Sequence, residues 1–222
     1  MESSETRRVL RSKVAARRAY DRMSSVYDWL TGAEAHMRDR LLRMAGIGGG
    51  ERILDLGTGT GSALIELARR TGSGGFVLGL DLSPGMLARA KKRIAGTETR
   101  GIGLIQGDAS DLPLLSGGLD AVMMSFALEL FDTPEIPGVL AECERVLRPG
   151  GRIVVGSLAT RPHRGAMVRA YEWLHDRIPA WLDCRPIPVR HLLTGSGFRL
   201  EAVEERLLWG LPVDLVVARR RL

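Results

Sequence analysis

The sequence predicts an α/β protein built on a mainly parallel sheet with helices on both faces. Three observations carry that reading. From residue 52 onward, short Val/Ile/Leu-rich runs alternate with segments of helical period. The first of these runs passes directly into a glycine loop and then a helix, the order of a parallel βα unit. The chain of 222 residues, 45% apolar and 26% charged, suits one such domain with a short extra segment.

Residues 1–46 are expected to form a helical lid or substrate segment. Tyr20, Met23, Val26, Tyr27 and Leu30 recur at helical spacing and would make one apolar face. A second helix, from about Ala33 to Ala45, stops at Gly46 and the Gly48-Gly49-Gly50 linker. The remaining unit, 47–222, carries the sheet. Arg52–Leu56 reads as a buried strand, followed after the glycine loop by a helix from Ser62 to Arg70. Phe76–Asp81 is the second strand, and Ser83 caps a helix to Ile94 with Pro84 in its first turn, where a missing N–H costs nothing. Ile102–Gln106 and Leu119–Phe126 are the third and fourth strands. Pro134–Leu147 is a helix ended by Pro149-Gly150-Gly151, and Arg152–Gly156 is the fifth strand. Residues 157–195 are read as an insertion on the acceptor side, with an amphipathic helix over 164–181 and the irregular stretch Asp183–Pro188. The helix stripe that includes Tyr171, Leu174 and Trp181 either covers a cavity or packs on the sheet. Phe198–Leu208 and Val213–Ala218 are two last strands joined through Gly210-Leu211-Pro212.

Composition narrows the function. The net charge is +6, and the excess is dense near Arg7–Arg18 and in Arg219-Arg220-Arg221. Solvated helix faces explain this, as does weak attraction to an anionic lipid surface. Aromatic residues are 5% and are not interleaved with basic strands, so nucleic acid is not the expected partner. No run of eighteen apolar residues is present, and the N-terminus lacks an apolar signal core. Cys143 and Cys184 fit neither a zinc spacing nor a disulfide framework, and His36, His163, His175 and His191 form no ligand cluster. The expectation is a cytoplasmic protein without a metal, in peripheral contact with the inner membrane surface at most, monomeric or homodimeric.

Three stations carry the chemistry. Asp55-Leu-Gly57-Thr58-Gly59-Thr60-Gly61 ends the first strand; its glycines let a ligand approach the backbone, and the next helix offers free N–H groups. The register Gly-x-Gly-x-Gly differs from the Gly-x-Gly-x-x-Gly of nicotinamide sites. The acid before it suits the cationic sulfonium and amino group of S-adenosylmethionine. Asp81 ends the second strand, where a carboxylate can accept from both ribose hydroxyls or cap the following helix. Leu82 and Met86, flanking that helix start, join the candidate cofactor contacts. Asp108 and Ala109 follow the third strand and could read the adenine amino group and a ring nitrogen, or Asp108 could close an Asx-turn. The three stations together suit one adenosyl ligand laid across the carboxyl ends of the strands.

These motifs, with ILDLGTGTG, GLDLSPGML, QGDASDLPL, LDAVMMSFALELF, VLRPGGRIVVGSL and the Tyr20-Asp21…Tyr27-Asp28 lead-in, resemble the class I S-adenosylmethionine-dependent methyltransferases. The resemblance covers residues 14–160 and is closest to the ubiquinone/menaquinone C-methyltransferase group. It implies a Rossmann-like seven-stranded sheet with its last strand antiparallel. It also implies S-adenosylmethionine as donor and S-adenosylhomocysteine as product. Thr60, Asp81, Asp108, Ala109 and Ser125 match positions that contact the cofactor in the family. The chain departs from the quinone group at Thr31, where Asn is usual, across Gly32–Arg40, and at Ser157-Leu-Ala-Thr.

Methyl transfer from a sulfonium is an in-line displacement that needs alignment and exclusion of water. A phenolic ring acceptor also needs its proton weakened or removed. Tyr20 and Tyr27 on the lid, and His163 after the fifth strand, are the candidates for that role. The expected substrate is a small or lipid-like acceptor, a quinol precursor foremost. Competing readings are N-methylation of a phospholipid amine, a nicotinamide-dependent oxidoreductase, and a cofactor-binding protein without turnover.

Overall fold

The computed structural model describes residues 13–23, 34–161 and 184–221. Its framework is a seven-stranded sheet in the order β3-β2-β1-β4-β5-β7-β6. The strands are β1 (Arg52–Leu56), β2 (Phe76–Asp81), β3 (Ile102–Gln106), β4 (Leu119–Ser125), β5 (Leu147–Leu158), β6 (Phe198–Leu208) and β7 (Leu211–Arg220). The first five are parallel to their neighbours, β7 runs antiparallel to β5, and β6 pairs antiparallel with β7. The strand order therefore reverses between β1 and β4, and ligands of open α/β sheets bind at such a point.

Helices α1 (Lys13–Met23), α2 (Glu34–Ala45), α3 (Leu64–Thr71), α4 (Pro84–Ala95), α5 (Ile136–Val146) and α6 (Val189–Gly195) flank the sheet. Side chains alternate faces along each strand. On β4 and β5, Val122, Met124, Ile153 and Val155 point to the layer of α5 and α6. Met123 and Val154 point the other way, to Leu41 and Leu42 of α2 and Leu64 and Leu67 of α3. Helix α2 is thus part of the core rather than a cover standing off it. Arg152 fastens its end, donating from Nε to the Ala45 carbonyl (2.7 Å) and pairing with Glu51 (2.6 Å). Helix α1 is tied to α4: Asp21 Oδ1 accepts from the Ser83 hydroxyl (2.6 Å) and the Gly85 N–H (2.9 Å).

Several boundaries differ from the sequence reading. Helix α3 starts at Leu64, not Ser62, because Gly61 sits at φ +76° and its N–H closes a turn on the Thr58 carbonyl (2.9 Å). β4 ends at Ser125; Phe126 takes the left-handed conformation (φ +55°). Pro149-Gly150-Gly151 lies within β5 as an irregularity in its pairing with β4, where Leu119 faces Leu147 and Ala121 faces Arg152. The last hairpin turns at Trp209-Gly210, both with positive φ, so Leu211 and Pro212 are already in β7. Helix α6 was not anticipated; its short buried pair, Val189 and Leu193, follows a proline-rich stretch. The helix expected over 164–181, together with Tyr27 and His163, lies outside the described residues.

Candidate active site

The turns after β1, β2 and β3 meet at one edge of the sheet because their strands are neighbours in register: Leu56 faces Leu80, and Asp81 faces Gln106. The glycine loop is pinned there by backbone bonds, with the Gly57 and Thr58 N–H groups both donating to the Leu80 carbonyl (2.8 and 3.0 Å). Gly57 requires its residue type twice over. Its φ is +73°, and a Cβ would lie 2.7 Å from that of Ala127.

Asp81 organises the middle of the edge. One carboxylate oxygen accepts from Gly59 N–H and the other from Ser83 N–H, both at 2.8 Å. Ser83 in turn caps α4, its side chain accepting from Met86 N–H, with Pro84 in the first turn as expected. The cap role belongs to Ser83, and Asp81 steadies the turn before it. Burial pushes the Asp81 carboxyl above its ordinary range; backbone N–H groups of Ser83, Gly59 and Leu82 oppose this, and nearby Asp21 adds to it.

Two adjoining cavities open on this edge and share Gly57 and Gly59. The larger, of about 130 Å³, runs from Asp81, Leu82 and Met86 past Asp108 and Ala109. Phe126, Ala127, Leu130 and Phe131 wall its other side, and Tyr20 of α1 reaches its rim. Asp108 Oδ1 accepts from the Ser110 N–H (2.9 Å) and hydroxyl (2.8 Å), so the turn-closing role expected for it is present, and the residue still lines the cavity.

The smaller cavity is polar, lined by Asp55, Thr58, Thr60 and Ser125 together with Glu34 and Arg38 of α2. Thr58 donates its hydroxyl to Asp55 (2.6 Å), and Arg93 fixes Thr60 by donating to its carbonyl and hydroxyl (2.8 Å each). Burial pushes Asp55 up to about 6; the Thr58 hydroxyl and Arg38 oppose this and Asp81 adds to it. Burial pushes Glu34 up to about 7, with Arg38 opposing. Gly61 lines neither cavity: its added Cβ would lie 2.9 Å from that of Ala90, so this glycine brings the loop against α4.

The donor set fits S-adenosylmethionine. Three desolvated carboxyls, Asp55, Asp81 and Glu34, line one continuous edge with their proton affinities raised, as expected where a cation completes the charge balance. An apolar wall stands beside them for a flat ring. Sequence reasoning missed Glu34, Arg38 and Phe126. The first two come from a helix assigned to a separate segment. The signal for Phe126 is its place next to a strand end, where strained backbone collects at functional sites.

The chain resembles proteins of known activity. A family described as "Methyltransferase domain" matches residues 53–151. A demethylmenaquinone methyltransferase of Clavibacter sepedonicus is 36% identical over 215 residues, covering 85% of this chain and 83% of its own. A nocamycin O-methyltransferase of Saccharothrix syringae is 36% identical over 203 residues, covering 81% and 70%. Among solved structures, a SAM-dependent methyltransferase from Aquifex aeolicus superposes with a TM-score of 0.66 at 18% identity, covering 89% of this chain and 97% of its own.

Proposed function

The chain belongs to the class I S-adenosylmethionine-dependent methyltransferases, close to the menaquinone group, and from that premise we propose that it C-methylates a quinol precursor. The reading is carried by one observation, the convergence of three strand-end turns and their carboxyls on one pair of joined cavities. In it, Asp108 and Ala109 read the adenine, Asp81 holds the ribose hydroxyls, and Leu82 and Met86 press on the adenosine. The Asp55–Thr60 loop and Ser125 hold the amino-acid end, with Glu34 and Arg38 beside it. S-adenosylmethionine supplies a methyl group already activated on a sulfonium. The protein's share is to orient donor and acceptor and to keep water out, and Tyr20 at the rim of the larger cavity serves the second task. Tyr27 and His163 remain candidates on the acceptor side.

The demethylmenaquinone methyltransferase relative supports the quinol acceptor, and the nocamycin relative supports attack through oxygen as the second reading. A phospholipid amine is not favoured. Among the described residues no helix is long and apolar enough to cross a membrane. A lipid-like acceptor would be met at a membrane surface, where the cationic excess favours anionic headgroups. The deciding experiment incubates the protein with S-adenosylmethionine and, in parallel, a short-chain demethylmenaquinol and phosphatidylethanolamine, and follows products by mass spectrometry. A ring-methylated quinol is expected. A methyl ether favours the second reading, and methylation of the amine alone contradicts both.

A further inference from the structure

Among the described residues, the exposed large apolar side chains are Val14, Phe76, Leu115, Leu207 and Trp209. Phe76 opens β2 and Leu115 precedes β4, so both stand at the edge where the parallel strands begin. Leu207 (68% exposed) and Trp209 (61%) stand together at the tip of the β6–β7 hairpin. That tip lies at the cofactor edge. β7 runs antiparallel to β5 with Val213 facing Leu158, so the hairpin turns just beyond the carboxyl end of β5. It is held there firmly: the Ala159 N–H donates to the Pro212 carbonyl (2.8 Å). Leu208 and Leu211, the pair that closes the turn, pack in one buried cluster with Leu158 and Phe126, and Phe126 walls the larger cavity. The turn itself is costly. Trp209 and Gly210 both have positive φ (+51° and +80°), a pair of positions suited to Asn-Gly rather than to a bulky side chain. The fold thus places a tryptophan in strained backbone and leaves it in solvent.

The charges behind the tip say what it meets. Arg40 and Arg206 pair with Glu204, and Arg161 and Arg190 share Asp214 and Glu205. Four arginines thus meet three acids. Asp214 is 4% exposed and Glu204 21%, whereas Arg40, Arg190 and Arg206 are 40, 37 and 44% exposed; Glu205 is the exposed acid of the group. The cluster therefore turns mostly guanidinium outward. Arg206 is three residues from Trp209, about 10 Å along the strand. An apolar element lying in a bilayer interface sinks by about 5–10 Å, which would leave these arginines at the level of the headgroups. Trp suits that interface, with an apolar ring and an N–H that stays hydrated. A protein partner is not favoured, because a stable one covers about 800 Å² and the tip offers two side chains. Helix α1, whose Tyr20 reaches the rim of the larger cavity, also exposes Val14, Arg17 and Arg18. We propose that the β6–β7 hairpin tip docks the protein on an anionic lipid bilayer, Trp209 and Leu207 entering the interface and the arginine collar meeting lipid phosphates. The docking rests on the methyltransferase reading only for its use, which is to bring the cofactor edge to a lipid-like acceptor.

The test is co-sedimentation of the full chain with vesicles of phosphatidylcholine alone or mixed equally with phosphatidylglycerol, at about 0.1 M salt. The wild type is expected to partition onto the mixed vesicles. Trp209→Asn should weaken that partition by about tenfold or more. Its melting temperature should hold or rise, because Asn accepts the positive φ that Trp resists. Leu207→Ser, which leaves the turn untouched, should give a smaller loss and covers the case in which the turn variant does not fold. Arg206→Gln should cut the preference for phosphatidylglycerol by about fivefold. None of the three variants should change S-adenosylhomocysteine affinity. A wild type that ignores both vesicles overturns the proposal, and so does a partition that survives both Trp209→Asn and Leu207→Ser. A change of oligomeric state in Trp209→Asn, with no vesicle binding by the wild type, would give the tip to a second copy of the chain instead. If the tip governs vesicle binding but no quinol is methylated, the docking surface stands and the quinol reading falls. If quinol is methylated and the vesicles are ignored, the reverse holds.

Discussion

The two edges of the sheet differ in how they treat the carboxylates nearest β1, β2 and β4. At the edge where β4 begins and β5 takes up its regular pairing, each acid has an arginine. Asp120 accepts from Arg148 Nε (2.5 Å) and the Arg52 N–H (2.8 Å), and Glu201 is gripped by Arg219 at 2.6 and 2.9 Å. Burial works to raise Asp120, but these N–H groups and the arginine charges win, and the carboxyl falls below its ordinary range. Arg219 does the same to Glu201. At the opposite edge Asp214, beside Ser157 at the end of β5, is still gripped by Arg161 (2.6 Å) and Arg190 (2.7 Å), but Asp55, Asp81, Glu34 and Glu129, the last just beyond β4, are all raised by burial, and Arg38 opposes this only at Asp55 and Glu34. A chain with a net charge of +6 is not short of arginines to place there. Stability is served where charges are matched, and binding is served where they are left for a ligand to match.

The largest effect should come from the loop at the binding edge. Gly57→Val puts a branched side chain into a left-handed backbone and against Ala127, and is expected to abolish S-adenosylhomocysteine binding in a thermal-shift assay. Retained binding would mean that the loop does not form the site.

A smaller effect distinguishes the edges through pH. A carboxyl raised by burial keeps its proton in the folded chain after the unfolded chain has lost it. Its contribution to stability is therefore full below the ordinary value of 4.5 and is lost as pH rises through about 7 for Glu34 and about 8 for Glu129. The lowered acids Asp120 and Glu201 work the other way and lose their contribution only in acid. The unliganded protein should lose melting temperature between about pH 5 and pH 9, and Glu129→Gln should flatten part of that fall. Parallel curves for the two proteins would remove Glu129 from the group of raised acids.

The smallest effect belongs to the matched edge. Arg148 is half exposed, and Arg148→Ala should cost no more than about 1 kcal/mol in a denaturant melt with cofactor affinity unchanged. A loss of affinity there would show that the two edges are coupled.

The sequence made the sheet legible because local and long-range signals agree in it. The apolar runs at Ile53, Val77 and Val122 could only be buried strands, and the Ser83-Pro84 cap worked as its residues demand. The turn at Gly57 and Gly59 was legible because a left-handed loop leaves a mark in residue type. Glu34 and Glu129 left no such mark. A glutamate in an amphipathic helix or after a strand looks like a solvated one until the tertiary structure buries it. The hairpin turn was misjudged for a related reason, since Trp209 occupies a positive-φ position that usually goes to Asn, Asp or Gly.

Asp81 joins the glycine loop to the α4 turn, and the cofactor edge depends on it most directly. Calorimetric titration of S-adenosylhomocysteine into the wild type should give one site per chain. Asp81→Ala should weaken that site by about tenfold or more with the fold intact by circular dichroism. A wild type that takes up neither S-adenosylhomocysteine nor S-adenosylmethionine at about millimolar concentration, or an Asp81→Ala protein with unchanged affinity, would contradict it.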